Sequence, residues 1–117
     1  MDVFTTNTKK IIPAESLAIA SAVKAFVVQQ DAGTQTILFG SRARGDAGFE
    51  SDWDFLVLTD EADTEKFAAM LRKAVREKIE LVYSESISII VKNKKIWSED
   101  YGVTNIYESI TEEGIVV

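Results

Sequence analysis

The spacing of apolar and polar positions changes several times along the chain, and each change marks a new element. From Ala14 to about Gln30 the residues are strong helix formers. Ile19, Ala22, Val23, Phe26 and Val27 recur there at helical spacing, and Leu17, Ala20 and Val28 widen the stripe. Pro13 stands just ahead, where its fixed φ and missing N–H do no harm, and Asp31-Ala32-Gly33 ends the run. Few charges lie on this helix, so it is expected to be well buried or partly covered by a partner. Thr36 to Phe39 predicts a short buried strand running straight into Gly40-Ser41, and a turn-rich segment follows from Arg42 to Ser51. Asp52 to Leu58 predicts a second strand, apolar on both faces beyond its start, as befits a central position. Asp63 or Thr64 can cap a helix over roughly 64–79, with Phe67, Met70, Leu71, Ala74 and Val75 facing inward. Ser86 to Val91 predicts a third strand. Asn93 to Trp97 and Asn105 to Glu113 predict short helices, the second stopped by Gly114. Helix, strand, strand, helix, strand, helix on one core makes the fold class α/β (α+β).

Composition narrows the chemistry. A chain of 117 residues suits one core, so a single domain over 1–117 is expected. Cysteine and histidine are both absent, which excludes a disulfide framework, a thiolate or imidazole zinc site, a Ser-His-Asp triad and a histidine base. Any metal must then be held by oxygen, which favours a hard cation such as Mg²⁺. The net charge of −6 argues against broad nucleic-acid binding, which usually needs a basic face. It does not bar a mononucleotide, whose metal supplies the balancing charge. The apolar runs are too short to span a membrane, and MDVFTTNTKK lacks the apolar stretch of a signal peptide, so a cytoplasmic location is expected.

The chemistry concentrates between Leu38 and Leu58, L-F-G-S-R-A-R-G-D-A-G-F-E-S-D-W-D-F-L-V-L. Gly40 permits close backbone approach to a bulky anion, and the Ser41 hydroxyl with nearby N–H groups can bind phosphate oxygens. Asp52 and Asp54 lie two apart on a strand, so their side chains point the same way, about 6–7 Å apart at Cα. Two carboxylates at that spacing can chelate a divalent cation, which can in turn bridge a triphosphate. Each part has an ordinary reading: Gly-Ser as a turn, Asp52 as a turn cap, Asp54 as an arginine's partner. The combination points to a site, because Asp54 leads straight into Phe55-Leu56-Val57-Leu58, where an unpaired carboxylate is costly.

These residues resemble the minimal nucleotidyltransferase (MNT) family of the DNA polymerase beta-like nucleotidyltransferase superfamily. Gly40, Ser41, Arg42, Ala43, Arg44 and Gly45 match its G-S-x-A-R-G motif. Ser51, Asp52, Trp53, Asp54 and Phe55 match its S-D-x-D-hydrophobic motif, at the family's spacing. The resemblance implies a small mixed β-sheet with its flanking helices on one side. It also implies a nucleoside triphosphate, with ATP as the expected donor, and Mg²⁺ between the Gly-Ser loop and the Asp pair. The implied reaction transfers a nucleotidyl group, AMP, to a protein or small acceptor and releases pyrophosphate. On that carry-over Gly40, Ser41 and Arg44 bind the nucleotide, and Asp52 and Asp54 are catalytic and hold the metal. Small proteins of this kind are similar to the antitoxin halves of toxin–antitoxin pairs, whose companion is an all-helical HEPN-type protein. Some resemble enzymes that attach AMP to a tyrosine of that companion.

The family pattern also has a third carboxylate on the next strand. Here Ser88, or Ser86 under a shifted register, stands at that position, and Glu85, the nearest acid, precedes the strand. A second reading is therefore a catalytically weak or inactive binding module that acts by contacting a partner protein. Helix 14–30 with Trp97, Tyr101 and Tyr107 would serve that interface, although those residues fit a core more readily.

Overall fold

The computed structural model describes residues 14–48, 51–99 and 105–117, with the backbone alone at 14–17, 105–107 and 109. Pro13 and Tyr101 lie outside the described residues, as do the side chains of Leu17 and Tyr107. Ala14–Gln30 forms the first helix, α1. The Asp31 turn closes it: Gly33 N–H donates to Asp31 Oδ1 at 3.0 Å. The other Asp31 oxygen accepts from Thr59 Oγ1 at 3.1 Å, which ties this turn to the far end of the second strand.

Strand β1 spans Gln35–Phe39 and β2 spans Trp53–Thr59, with a one-turn helix α2 at Ser41–Arg44 between them. Helix α3, Thr64–Val75, is capped by Asp63, whose carboxylate accepts from Lys66 N–H at 3.0 Å. It runs on through a π-helical stretch, Arg76–Glu80, and a last turn α4, Leu81–Tyr83. Ser84 ends this run in the left-handed conformation at φ 55°. Strand β3 (Ile87–Asn93), helices α5 (Lys94–Glu99) and α6 (Asn105–Glu113) and a two-residue strand β4 (Ile115–Val116) complete the order. Two of these elements, α2 and β4, went unrecognised in the periodicity because each is shorter than one period of a reliable pattern.

The sheet is mixed, in the order β3-β2-β1-β4. β1 pairs antiparallel with β2 and with β4, while β2 pairs parallel with β3 through the α3 crossover. β2 is central, and the strand's near-continuous apolar run follows from burial on both faces. One face carries Trp53, Phe55 and Val57 with Leu38, Ile89 and Val91, packed against α1 and α3. The opposite face carries Leu56 and Leu58 with Ile37, covered by Trp97 of α5 and Ile110 of α6. Helices therefore lie on both sides, the two long ones on one and short ones on the other, rather than all on one side. Among the described residues no helix is long and apolar enough to cross a membrane.

Two expected faces shift. On α3, Phe67, Ala68, Leu71 and Val75 are buried while Met70 is 38% exposed, because the inward stripe is centred one position away from it. On α1 the buried stripe is Ile19, Ala20, Val23, Phe26 and Val27, and Val28 faces outward. Trp97 is only 6% exposed and belongs to the core.

Candidate active site

The site grows from the end of β1. Phe39 pairs with Asp54 across the antiparallel ladder, so the chain leaves β1 directly beside Asp54. Gly40 then takes φ 76° and ψ −161°, a region open to glycine alone, where another residue would be strained by about 1–3 kcal/mol. Space adds a second constraint: a Cβ on Gly40 would lie 2.5 Å from Asp54 Oδ2. The loop backbone is thus seated on the carboxylate of β2. The last motif glycine, Gly45, has φ 86° and caps α2, its N–H donating to Ser41 O at 2.9 Å. Both ends of G-S-x-A-R-G are dictated by backbone geometry, with the half-buried Ser41 opening α2 immediately after the turn.

Asp54 is half-buried and lies on the Leu56 and Leu58 side of the sheet. Asp52 is exposed just ahead of β2. Burial raises the Asp54 carboxyl above its ordinary pKa, and the charges of Asp52 and Glu113 raise it further, while Arg44 acts in the opposite sense. The two aspartates are therefore close enough to repel each other.

The arginines divide their work. Arg42 lies 4.4 Å above the Trp53 ring and donates to Ser51 O at 3.0 Å, so it braces the loop onto the α1/α3 side of the sheet. Glu85 accepts from Trp53 Nε1 at 3.1 Å and sits on that same side, turned away from Asp54. Arg44 instead reaches Asp46 at 3.1 Å and Glu113 at 2.9 Å, and these bonds hold its guanidinium firmly charged.

Glu113 is the residue that sequence reasoning passed over. Its Oε1 accepts from Gly40 N–H at 3.1 Å, while Oε2 accepts from Arg44. The cause is register: β4 pairs Leu38 with Ile115 and Ile37 with Val116, and continuing that ladder brings Glu113 opposite Gly40. Ile110, one turn earlier on α6, is buried on the same face of the sheet. The only hint in the sequence was the apolar run Ile115-Val116-Val117 after Gly114, a strand signal without a register.

The parallel ladder places Ser88, not Ser86, opposite Asp54. Ser88 is exposed beside Asp54, and Ser86 lies before the strand, its carbonyl accepting from Trp53 N–H at 2.9 Å. Among the described residues no cluster of three acids is arranged to hold a metal. Two carboxylates nevertheless fit Mg²⁺, which is usually bound by one or two carboxylates plus substrate phosphates.

The raised Asp54 pKa has a consequence for stability. The native state holds this proton more tightly than the unfolded chain, so stability falls as pH rises through the native pKa. Asp54→Asn removes the ionisation. The variant is expected to melt at the same temperature as wild type in acid and above it at neutral pH, without nucleotide or metal. Solvent screening keeps the gain to about 1 kcal/mol or less. Melting curves across that range check the sign.

A nucleotidyltransferase domain family model matches residues 20–117. No curated protein matches the chain in sequence. The matched span takes in every strand, the Gly40 turn, the Asp52 and Asp54 pair and Glu113, and on that match the chain belongs to the nucleotidyltransferase domain family.

Proposed function

We propose that this chain, as one domain, binds Mg²⁺ and a nucleoside triphosphate, ATP in the first instance, and transfers AMP to a hydroxyl of a protein or small acceptor. The observation that carries the reading is the Gly40 turn seated on the Asp54 carboxylate, with Asp52 alongside. An anion at the Gly40 N–H meets the acid pair at once, which is where a metal–triphosphate needs both. Asp52 and Asp54 would hold Mg²⁺, which screens the triphosphate and polarises the α-phosphate when bound. Gly40, Ser41 and Arg44 would orient the phosphates. The acceptor oxygen attacks the α-phosphorus, the bond to the bridging oxygen breaks, pyrophosphate leaves, and the acceptor's proton passes to water.

Ser88 beside Asp54 favours a second reading, a nucleotide-binding module whose transfer is slow. No carboxylate stands there to take the acceptor's proton. Contact with a partner, for which a helical HEPN-type protein of a toxin–antitoxin pair is the expected kind, is supported by exposed Leu81, Val82 and Tyr83, with Leu81 lining a cavity beside Arg72, Lys73, Arg76 and Glu77. That surface replaces buried Trp97 as the candidate interface. A cytoplasmic setting, with ATP and Mg²⁺ both available, belongs to the same proposal.

Two experiments test the readings, and the second separates them. Calorimetric titration with ATP should show Mg²⁺-dependent binding that Asp54→Asn abolishes; equal binding by variant and wild type would overturn both readings. Labelled-AMP transfer to a helical partner, run beside a thermal melt, should be weak in wild type and rise in Ser88→Asp. General-base help is typically worth ~10²–10⁴ in rate. Robust wild-type transfer, or a folded Ser88→Asp variant with no gain, would contradict the assigned role of the third position.

A further inference from the structure

Glu113 makes a contact that a phosphate would make. One carboxylate oxygen accepts from the Gly40 N–H at 3.1 Å and the other from Arg44 at 2.9 Å. Both donors are groups that the transferase reading gives to the triphosphate. We propose that Glu113 is an internal phosphate mimic, a positioning residue that occupies the phosphate subsite of the Gly40 turn and must leave when nucleotide binds. The inference rests on the reading of that turn as a phosphate site.

Three observations support it. The first is placement: continuation of the β1–β4 register puts Glu113 opposite Gly40, and Ile110 anchors its helix, so the backbone is held while the side chain is the movable part. Glu113 is the last residue of α6, its side chain is 20% exposed and that of Arg44 is 46% exposed. Rotation about side-chain bonds is enough to release the contact. The second is charge. Glu113 satisfies Arg44 but sets a second carboxylate on the Gly40 turn, which is already seated on the carboxylate of Asp54. A carboxylate there is favourable for one neighbour and unfavourable for the other, whereas a triphosphate arriving with a cation would suit both. The third is direction: the Gly40 turn holds its glycine-only conformation with its N–H aimed at a carboxylate, so the donor already points at an anion.

Competition of this kind lowers nucleotide affinity, so removing Glu113 should raise it. The test is calorimetric titration of Mg²⁺–ATP, and in parallel Mg²⁺–tripolyphosphate, into wild type, Glu113→Gln and Glu113→Ala. The two probes separate phosphate recognition from base recognition. Both variants should bind both probes roughly three- to tenfold more tightly, the span set by an exposed charge-assisted pair. In nucleotide-free wild type the Gly40 amide proton resonance should lie downfield, and it should move in Glu113→Ala before any ligand is added. Affinity that is unchanged or lower in variants with an unperturbed Gly40 turn would overturn the inference while leaving the transferase reading intact. Lower affinity together with lost Mg²⁺ dependence would make Glu113 a metal ligand and equally overturn it. Absence of binding by wild type and variants alike would remove the phosphate site itself, and the inference with it.

Discussion

The proposed site depends on one close approach, the backbone of Gly40 against the carboxylate of Asp54. No side chain fits between them, since a Cβ there would come within 2.5 Å of the carboxylate oxygen. The approach exists because β1 and β2 pair antiparallel with Phe39 opposite Asp54, so the strand must end and turn at that point. Central β2 is buried on both faces and sets the register on each side, bringing Ser88 in from β3 and the Gly40 turn in from β1. The apolar face of β2 against α1 and α3 then acts as the rigid support, and the acidic start of the strand is the part left near solvent.

Charge gives the site its character. Asp52, Asp54 and Glu113 gather at one sheet end against a single nearby guanidinium, Arg44, in a chain of net charge −6. Burial is the first cause of the raised Asp54 carboxyl, and the charges of Asp52 and Glu113 add to it. Arg42, by contrast, is spent on Trp53, Ser51 and Glu85, on the other side of the sheet. Two arginines two residues apart in one motif thus serve different ends, one for the loop's shape and one for its electrostatics.

The large elements were legible because their patterns are long. Helix α1 runs over the expected Ala14–Gln30, α6 over the expected Asn105–Glu113, and the three main strands fall within a residue or two of their sequence limits. Asp54 falls on the expected strand while Asp52 lies just ahead of it, and the choice between Ser86 and Ser88 was not legible, because a sequence carries no cross-strand register. Met70 was misplaced for a related reason: an α-helical stripe is broad, and which edge meets the sheet depends on packing. Glu113 stayed hidden because it reaches Gly40 across 73 residues of chain, through a two-residue strand. A motif shows the residues that are close in sequence. The residue that completes this site is close only in space.

The proposed chemistry requires a divalent cation and a triphosphate to meet at the Asp52 and Asp54 end of β2. Paramagnetic broadening by Mn²⁺ in isotope-labelled protein measures this most directly. With ATP present, trace Mn²⁺ should broaden the amide signals of Gly40, Ser41, Trp53 to Phe55 and Ser88 first, and much less so in Asp54→Asn. Broadening centred instead on the acidic turn at Asp60 to Asp63, or unchanged by the substitution, would contradict the account.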